Sequence, residues 1–265
     1  MFDNRSGDTP IFSCYRSGGI VLLKLKHNLV QNISQIDVKD LLFDYFRRFT
    51  SDNSVKVIIL LGAKGKDGRR EYIDFYKGVA SGAISYDKVE RLYHAINQFI
   101  RKLAAVSKYV IHADRGHIDP VFFGISLACD YRILATNSVL QNPYHDVGLL
   151  PKGGIAYFLP KLIGAGTASK VMLRKEDITA KEALGLRIVD RIVPEENLEE
   201  EVVKTARSIA DVPSDTLFGI KKLLSIAPDE LNRVLEMESK ELRRIVRTDA
   251  FREQVQQTAA THLRY

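Results

Sequence analysis

At 265 residues the chain has room for one large domain or two small ones, and 45% hydrophobic with 27% charged residues is a globular balance. No apolar run reaches the ~18 residues a spanning helix needs. Met1 to Pro10 also has no apolar signal-peptide core, so no membrane partner is expected and the expected location is cytoplasmic. The formal charge of +6 fits a polyanionic partner or simply scattered, solvated lysines, and with no basic run interleaved with aromatics a nucleic-acid partner is not expected.

Ile11 to Lys26 carries a hairpin signal: a strand, a Ser17-Gly18-Gly19 turn, and the apolar-rich run Ile20 to Leu25. Cys14 lies in it, far from Cys129; the pair has no metal-like spacing, so free thiols and no metal are expected. His27 reads as a loop residue. Ser34 to Phe49 reads as a helix, with Ile36, Leu41, Leu42, Tyr45 and Phe46 at helical spacing. Val55 to Leu61 is a nearly continuous apolar strand of the kind buried on both faces. A loop, Gly62 to Gly68, precedes a helix that begins within Glu71 to Tyr76. Asp87 to Ala105 reads as a long helix, and Tyr109 to Ala113 as a strand leading to Gly116.

From Gly116 a polar turn (Asp119, Pro120) opens the apolar segment Val121 to Cys129, which Asp130 ends. Tyr131 to Ala135 is β-prone. A loop with Asn142-Pro143-Tyr144-His145-Asp146 follows, and Gly148 to Gly154 turns the chain into another helix. Two turn-to-helix transitions thus bracket one loop. A helix start offers N–H groups and partial positive charge, which can hold a developing oxyanion. Leu198 to Ala210, Ser214 to Leu224, Asp229 to Val246 and Asp249 to Thr261 are helical by periodicity, broken at Asp211-Val212-Pro213 and Ala227-Pro228. Alternating strands and helices imply an α/β fold.

The stretch Gly116 to Gly154 resembles the core motif of the crotonase superfamily, the enoyl-CoA hydratases and isomerases. Gly116, Cys129, Asp130, Ile133, Ala135, Pro143, Gly148, Pro151, Gly153 and Gly154 fall at that family's spacing. Leu159 to Gly164, Ile178 to Val189 and Val193-Pro194 continue the likeness, which spans most of the chain. It implies a crotonase-type spiral of strand-strand-helix repeats over residues 1–199. A C-terminal helical region, 200–265, would build a homotrimer or a dimer of trimers. It also implies an acyl-CoA thioester as ligand, with coenzyme A as part of the substrate and no separate cofactor.

By the same resemblance one oxyanion-hole donor is the backbone N–H of Val121 and the other falls at Glu71. The family's first acid/base glutamate maps to Gly124, which would leave room for a bulkier acyl group, and its second maps to Tyr144. Hydration through two carboxylates needs both, so a classical hydratase is not expected. Lys221, with Lys222, sits where the family has a helix lysine near the coenzyme. The polar cluster His117, Asp119, Tyr144, His145 and Asp146 is either a source of replacement acid/base groups, with Asp119, Tyr144, His145 and Asp146 the candidates, or a set of solvated loop residues. If Asn142 to Asp146 is extended, Tyr144 and Asp146 share one face and His145 takes the other.

Overall fold

The structure, a computed structural model, describes residues 5–27, 32, 35–65, 67–118, 120–224 and 228–262. The chain opens with strands β1 (Arg5–Asp8), β2 (Phe12–Ser17) and β3 (Ile20–Leu25), helix α1 (Ile36–Ser51) and strand β4 (Val57–Leu61). Helices α2 (Gly68–Ala80) and α3 (Tyr86–Ala105) lead to β5 (Tyr109–Asp114), β6 (His117–Ile118) and α4 (Pro120–Leu127). Then come β7 (Tyr131–Ala135), β8 (Val139–Leu140), α5 (Ile155–Ile163), α6 (Ala165–Leu173), β9 (Ile178–Thr179), α7 (Ala180–Gly185) and β10 (Arg191–Val193). Helices α8 (Leu198–Ala210), α9 (Ser214–Leu223), α10 (Pro228–Ile245) and α11 (Asp249–His262) complete it.

The main sheet has the order β1-β2-β3-β4-β5-β7-β10. Its first three strands are antiparallel and the rest run parallel from β3 onward, with Leu22, Ile59 and Ile111 aligned in neighbouring strands. The apolar run of β4 follows from burial on both faces. Ile58 and Leu60 face the large helical core, while Val57, Ile59 and Leu61 face a second cluster with Leu198, Val202 and Ala206 of α8. The expected division at 199/200 therefore falls inside a helix that closes the sheet's outer face. A small second sheet, β6-β8-β9, stands beside α2.

Helix α2 starts three residues ahead of Glu71. Asp67 is its N-cap, and its side chain accepts the N–H of Arg70 at 3.1 Å. The C-terminal helices fold back over the core. Phe251 of α11 meets Tyr76 of α2 edge-on at 6.1 Å, and Asn97 of α3 donates to Leu235 O of α10 at 3.2 Å.

Candidate active site

Parallel strands β3, β4 and β5 end on one edge, at Leu25, Leu61 and Asp114. The crevice outside the carboxyl ends of parallel strands is the usual ligand position in open α/β sheets. From this edge β4 runs through a loop into α2, and β5 runs through β6 into α4. A single parallel bridge between Asp67 and His117 holds these two paths side by side. The starts of α2 and α4 are thereby brought together, with Gly68 and Val121 both buried. A cleft of 480 Å³ opens beside the first two turns of α2, lined by residues that include His27, Asp67, Arg70, Glu71 and Asp74.

Val121 stands in the first turn of α4, whose eight residues are all buried. Pro120 ahead of it fits the first helical position, where a missing N–H costs nothing. Glu71, expected as the other oxyanion donor, gives its N–H to Asp67 O at 3.0 Å within α2. The early helix start thus uses that amide inside the helix. Asp119 lies outside the described residues.

Gly124 does not open a pocket. A Cβ built there would come within 2.6 Å of Gly153 O, so the room expected for an acyl group is occupied by the Gly153 backbone. The loop Asn142 to Asp146 is a turn and not an extended strand. Asp146 N–H donates to Pro143 O at 3.1 Å and Leu149 N–H to Tyr144 O at 2.8 Å. The alternation of faces consequently fails, and the Tyr144 and His145 rings lie 4.5 Å apart. Both reach one carbonyl: the Tyr144 hydroxyl donates to Met172 O at 3.1 Å, and His145 Nε2 is 2.9 Å from the same oxygen. Burial pushes the Tyr144 pKa up to about 12, so the phenol stays protonated and can donate but not act as a base near neutrality.

Asp146 is ion-paired to Arg69, whose guanidinium also holds Asp177 at 2.6 Å. Asp177 in turn accepts the Asn142 N–H at 3.1 Å, and Gln141 Oε1 accepts the Arg69 N–H at 2.8 Å. Arg69 thus ties the start of α2 to the 143–148 turn. Its role had no sequence signal, because its partners are 77 and 108 residues away. Lys221 lies at the opposite edge of the sheet. Its Nζ donates to Asp130 Oδ2 at 2.6 Å, and that oxygen also accepts the Val110 N–H at 2.7 Å near the start of β5. In this arrangement it braces α9 against the sheet, away from the α2 and α4 starts.

Sequence reading also missed a buried pair on β5. His112 Nε2 and Asp114 Oδ2 are 3.6 Å apart and both side chains are fully buried. Gly62 is required beside them, since a Cβ there would lie 1.7 Å from Asp114 Oδ1. A histidine and an aspartate two apart in an apolar strand share a face, and that spacing was the available signal.

The enoyl-CoA hydratase/isomerase family model matches residues 15–261. The chain belongs to the enoyl-CoA hydratase/isomerase family. It is 27% identical over 231 residues to the glyoxysomal fatty acid beta-oxidation multifunctional protein MFP-a of Brassica napus, covering 85% of this chain and 31% of that protein. It is 26% identical over 199 residues to 4-chlorobenzoyl coenzyme A dehalogenase-1 of Arthrobacter sp, covering 74% of this chain and 69% of that protein. The chain thus spans about a third of the length of the multifunctional relative. Among solved structures, an enoyl-CoA hydratase from Bacillus halodurans superposes with a TM-score of 0.81 at 21% identity, over 93% of this chain and 99% of that one. That likeness establishes the crotonase fold expected from the sequence. For a member of this family, the paired helix starts at the carboxyl edge of the sheet are the notable feature, and the tied-down Tyr144–Asp146 turn is its neighbour.

Proposed function

We propose that this chain binds a coenzyme A thioester at the edge where α2 and α4 begin, and holds the thioester oxygen on first-turn amides. Val121 supplies one from α4, and the Gly68 end of α2 supplies the other. The Asp67–His117 bridge supports this reading, because it pairs the residue just ahead of α2 with the strand that leads into α4. Preorganised backbone donors at such a place are worth ~3 kcal/mol each toward an enolate-like oxygen. The family membership, and a relative named 4-chlorobenzoyl coenzyme A dehalogenase-1, support the ligand class. Coenzyme A is part of the substrate in this proposal, and no separate cofactor or metal takes part.

In the alignment by motif, Gly124 and Tyr144 stand where the family has its two glutamates. Activation of water between two carboxylates is then not available, and decarboxylation or isomerisation through proton donation to an enolate, or thioester hydrolysis in which water adds at the carbonyl, the oxyanion is held on the same amides and the coenzyme A thiolate leaves, is the better reading. A second reading, a catalytically inactive binding or structural subunit, is favoured by the engagement of the polar cluster. Tyr144 and His145 are both turned to Met172 O, and Asp146 to Arg69. Assembly into a homotrimer or a dimer of trimers, in the cytoplasm, completes the proposal. Among the described residues, no helix is long and apolar enough to cross a membrane. Exposed Ile220, Leu223 and Leu224 on and just after α9 are apolar surface for subunit contact.

Calorimetric titration with acetyl-CoA and with free coenzyme A tests the ligand. Binding of the thioester is expected, and no heat or thermal shift at millimolar ligand overturns the proposal. Crotonyl-CoA hydration is expected to fall several orders of magnitude below an efficient hydratase, each missing acid/base group costing roughly 10²–10⁴-fold.

A further inference from the structure

Behind the Gly153-Gly154 turn lies a buried polar group that the proposed site does not touch. Lys152, Asn97, Glu238 and Ser239 are all buried, Lys152 to 2% exposure. Lys152 Nζ donates to Asn97 Oδ1 and lies 3.4 Å from Glu238 Oε2. Asn97 Nδ2 donates to Ser239 Oγ at 2.9 Å. The Glu238 carboxylate also accepts two backbone donors, the N–H of Gly153 at 3.2 Å and of Gly154 at 3.1 Å.

A buried ion pair is a poor source of stability, because desolvation offsets the attraction, and an apolar replacement is often neutral or better. Desolvation raises the Glu238 pKa and lowers that of Lys152. The charges therefore need another purpose. A carboxylate can do what an apolar side chain cannot: it accepts the N–H groups of a turn whose two glycines both have left-handed φ, 95° and 78°. That turn is the wall against which α4 rests. A Cβ on Gly153 would lie 3.3 Å from Gly124 Cα and 3.7 Å from Val121 O. With every residue of α4 buried, a shift of Gly153 has no slack to absorb it.

We infer that Glu238, charge-balanced by Lys152, is a positioning residue: from α10 it fixes the Gly153-Gly154 turn, and through it the first turn of α4. The inference rests on the reading that the Val121 amide faces the thioester oxygen. Glu238 acts only through Gly153 and does not meet the ligand. Its influence should accordingly fall on the thioester group and leave the nucleotide end alone.

The test compares Glu238→Gln, Lys152→Met and a control, Glu236→Gln. Glu236 pairs with Arg101 at 2.6 Å, so the control breaks an outer contact between the same two helices, α3 and α10. Acetyl-CoA and free coenzyme A affinities are measured by calorimetry, and backbone amide exchange is followed over residues 120–127 and 152–158. For Glu238→Gln we expect acetyl-CoA affinity to fall about tenfold, the scale of one lost or misplaced donor, with coenzyme A affinity unchanged. Exchange should quicken in both segments. Lys152→Met should move the same readouts in the same direction, and Glu236→Gln should move none of them. Equal losses for both ligands, or faster exchange confined to 152–158, overturns the inference. If the wild type binds neither ligand, the thioester reading falls, and the exchange over 120–127 alone decides whether Glu238 positions α4. Should Glu238→Gln not fold, Glu238→Asp retracts the carboxylate by one methylene and is read the same way.

Discussion

Gly124 shows how much one missing methyl group decides. Gly124→Ala is expected to cost about 1–3 kcal/mol in chemical denaturation, since its Cβ would meet Gly153 O at 2.6 Å and backbone must move. Gly124→Glu, which restores the family's carboxylate by sequence, should be less stable still and should not gain hydratase activity. Tyr144 and Tyr76 give a second test. Burial raises both to about 12 from an ordinary 10, so between those values the unfolded chain releases protons that the folded chain keeps. Stability is therefore fully present below pH 10 and falls as pH rises toward 12. The slope is up to about 1.4 kcal/mol per pH unit for each tyrosine. Denaturation curves at stepped alkaline pH, with phenolate absorbance followed in parallel, check this; a flat profile over that range contradicts it.

Between elements, Arg69 is the tie that matters most for the site. Arg69→Ala leaves Asp146 and Asp177 facing each other without their shared cation. The three side chains are about a quarter exposed, so the stability cost should be modest, about 1 kcal/mol, and smaller at high salt. The larger expected effect is faster amide exchange across 142–148 and 174–178, with the α3–α10 contact unchanged. At this scale the sequence was legible where a period could be seen. The two-faced burial of β4, the long helix α3 and the entry into α4 at Pro120 all follow from local pattern. The two-residue strands β6, β8 and β9 are too short to show a period. The 143–148 turn is set by Arg69, Met172 and α11, through Gln254 bonding Asp146 O at 3.1 Å, all distant in sequence. Val121 could be placed from the motif, whereas Glu238 lies 84 residues past the turn it holds and gave no local sign.

For the molecule as a whole, the C-terminal helices complete the core. Phe251 is 2% exposed against Tyr76, and Phe251→Ala is expected to cost about 3–5 kcal/mol by denaturant titration. A cost below 1 kcal/mol would mean that α11 leaves the core easily. The outer face of the sheet is covered by a part of the chain that is made late. Ile59, Ile111 and Ile133 are covered by Leu198, Val202 and Ala206, which the ribosome adds far later than β4. At roughly 5–20 residues per second, about 7 to 27 seconds separate the end of β4 from the start of α8, which covers that apolar face. A chain ending just short of residue 198 is expected to leave that face bare, and stronger binding of an apolar dye than by the full chain is the measurement that checks it.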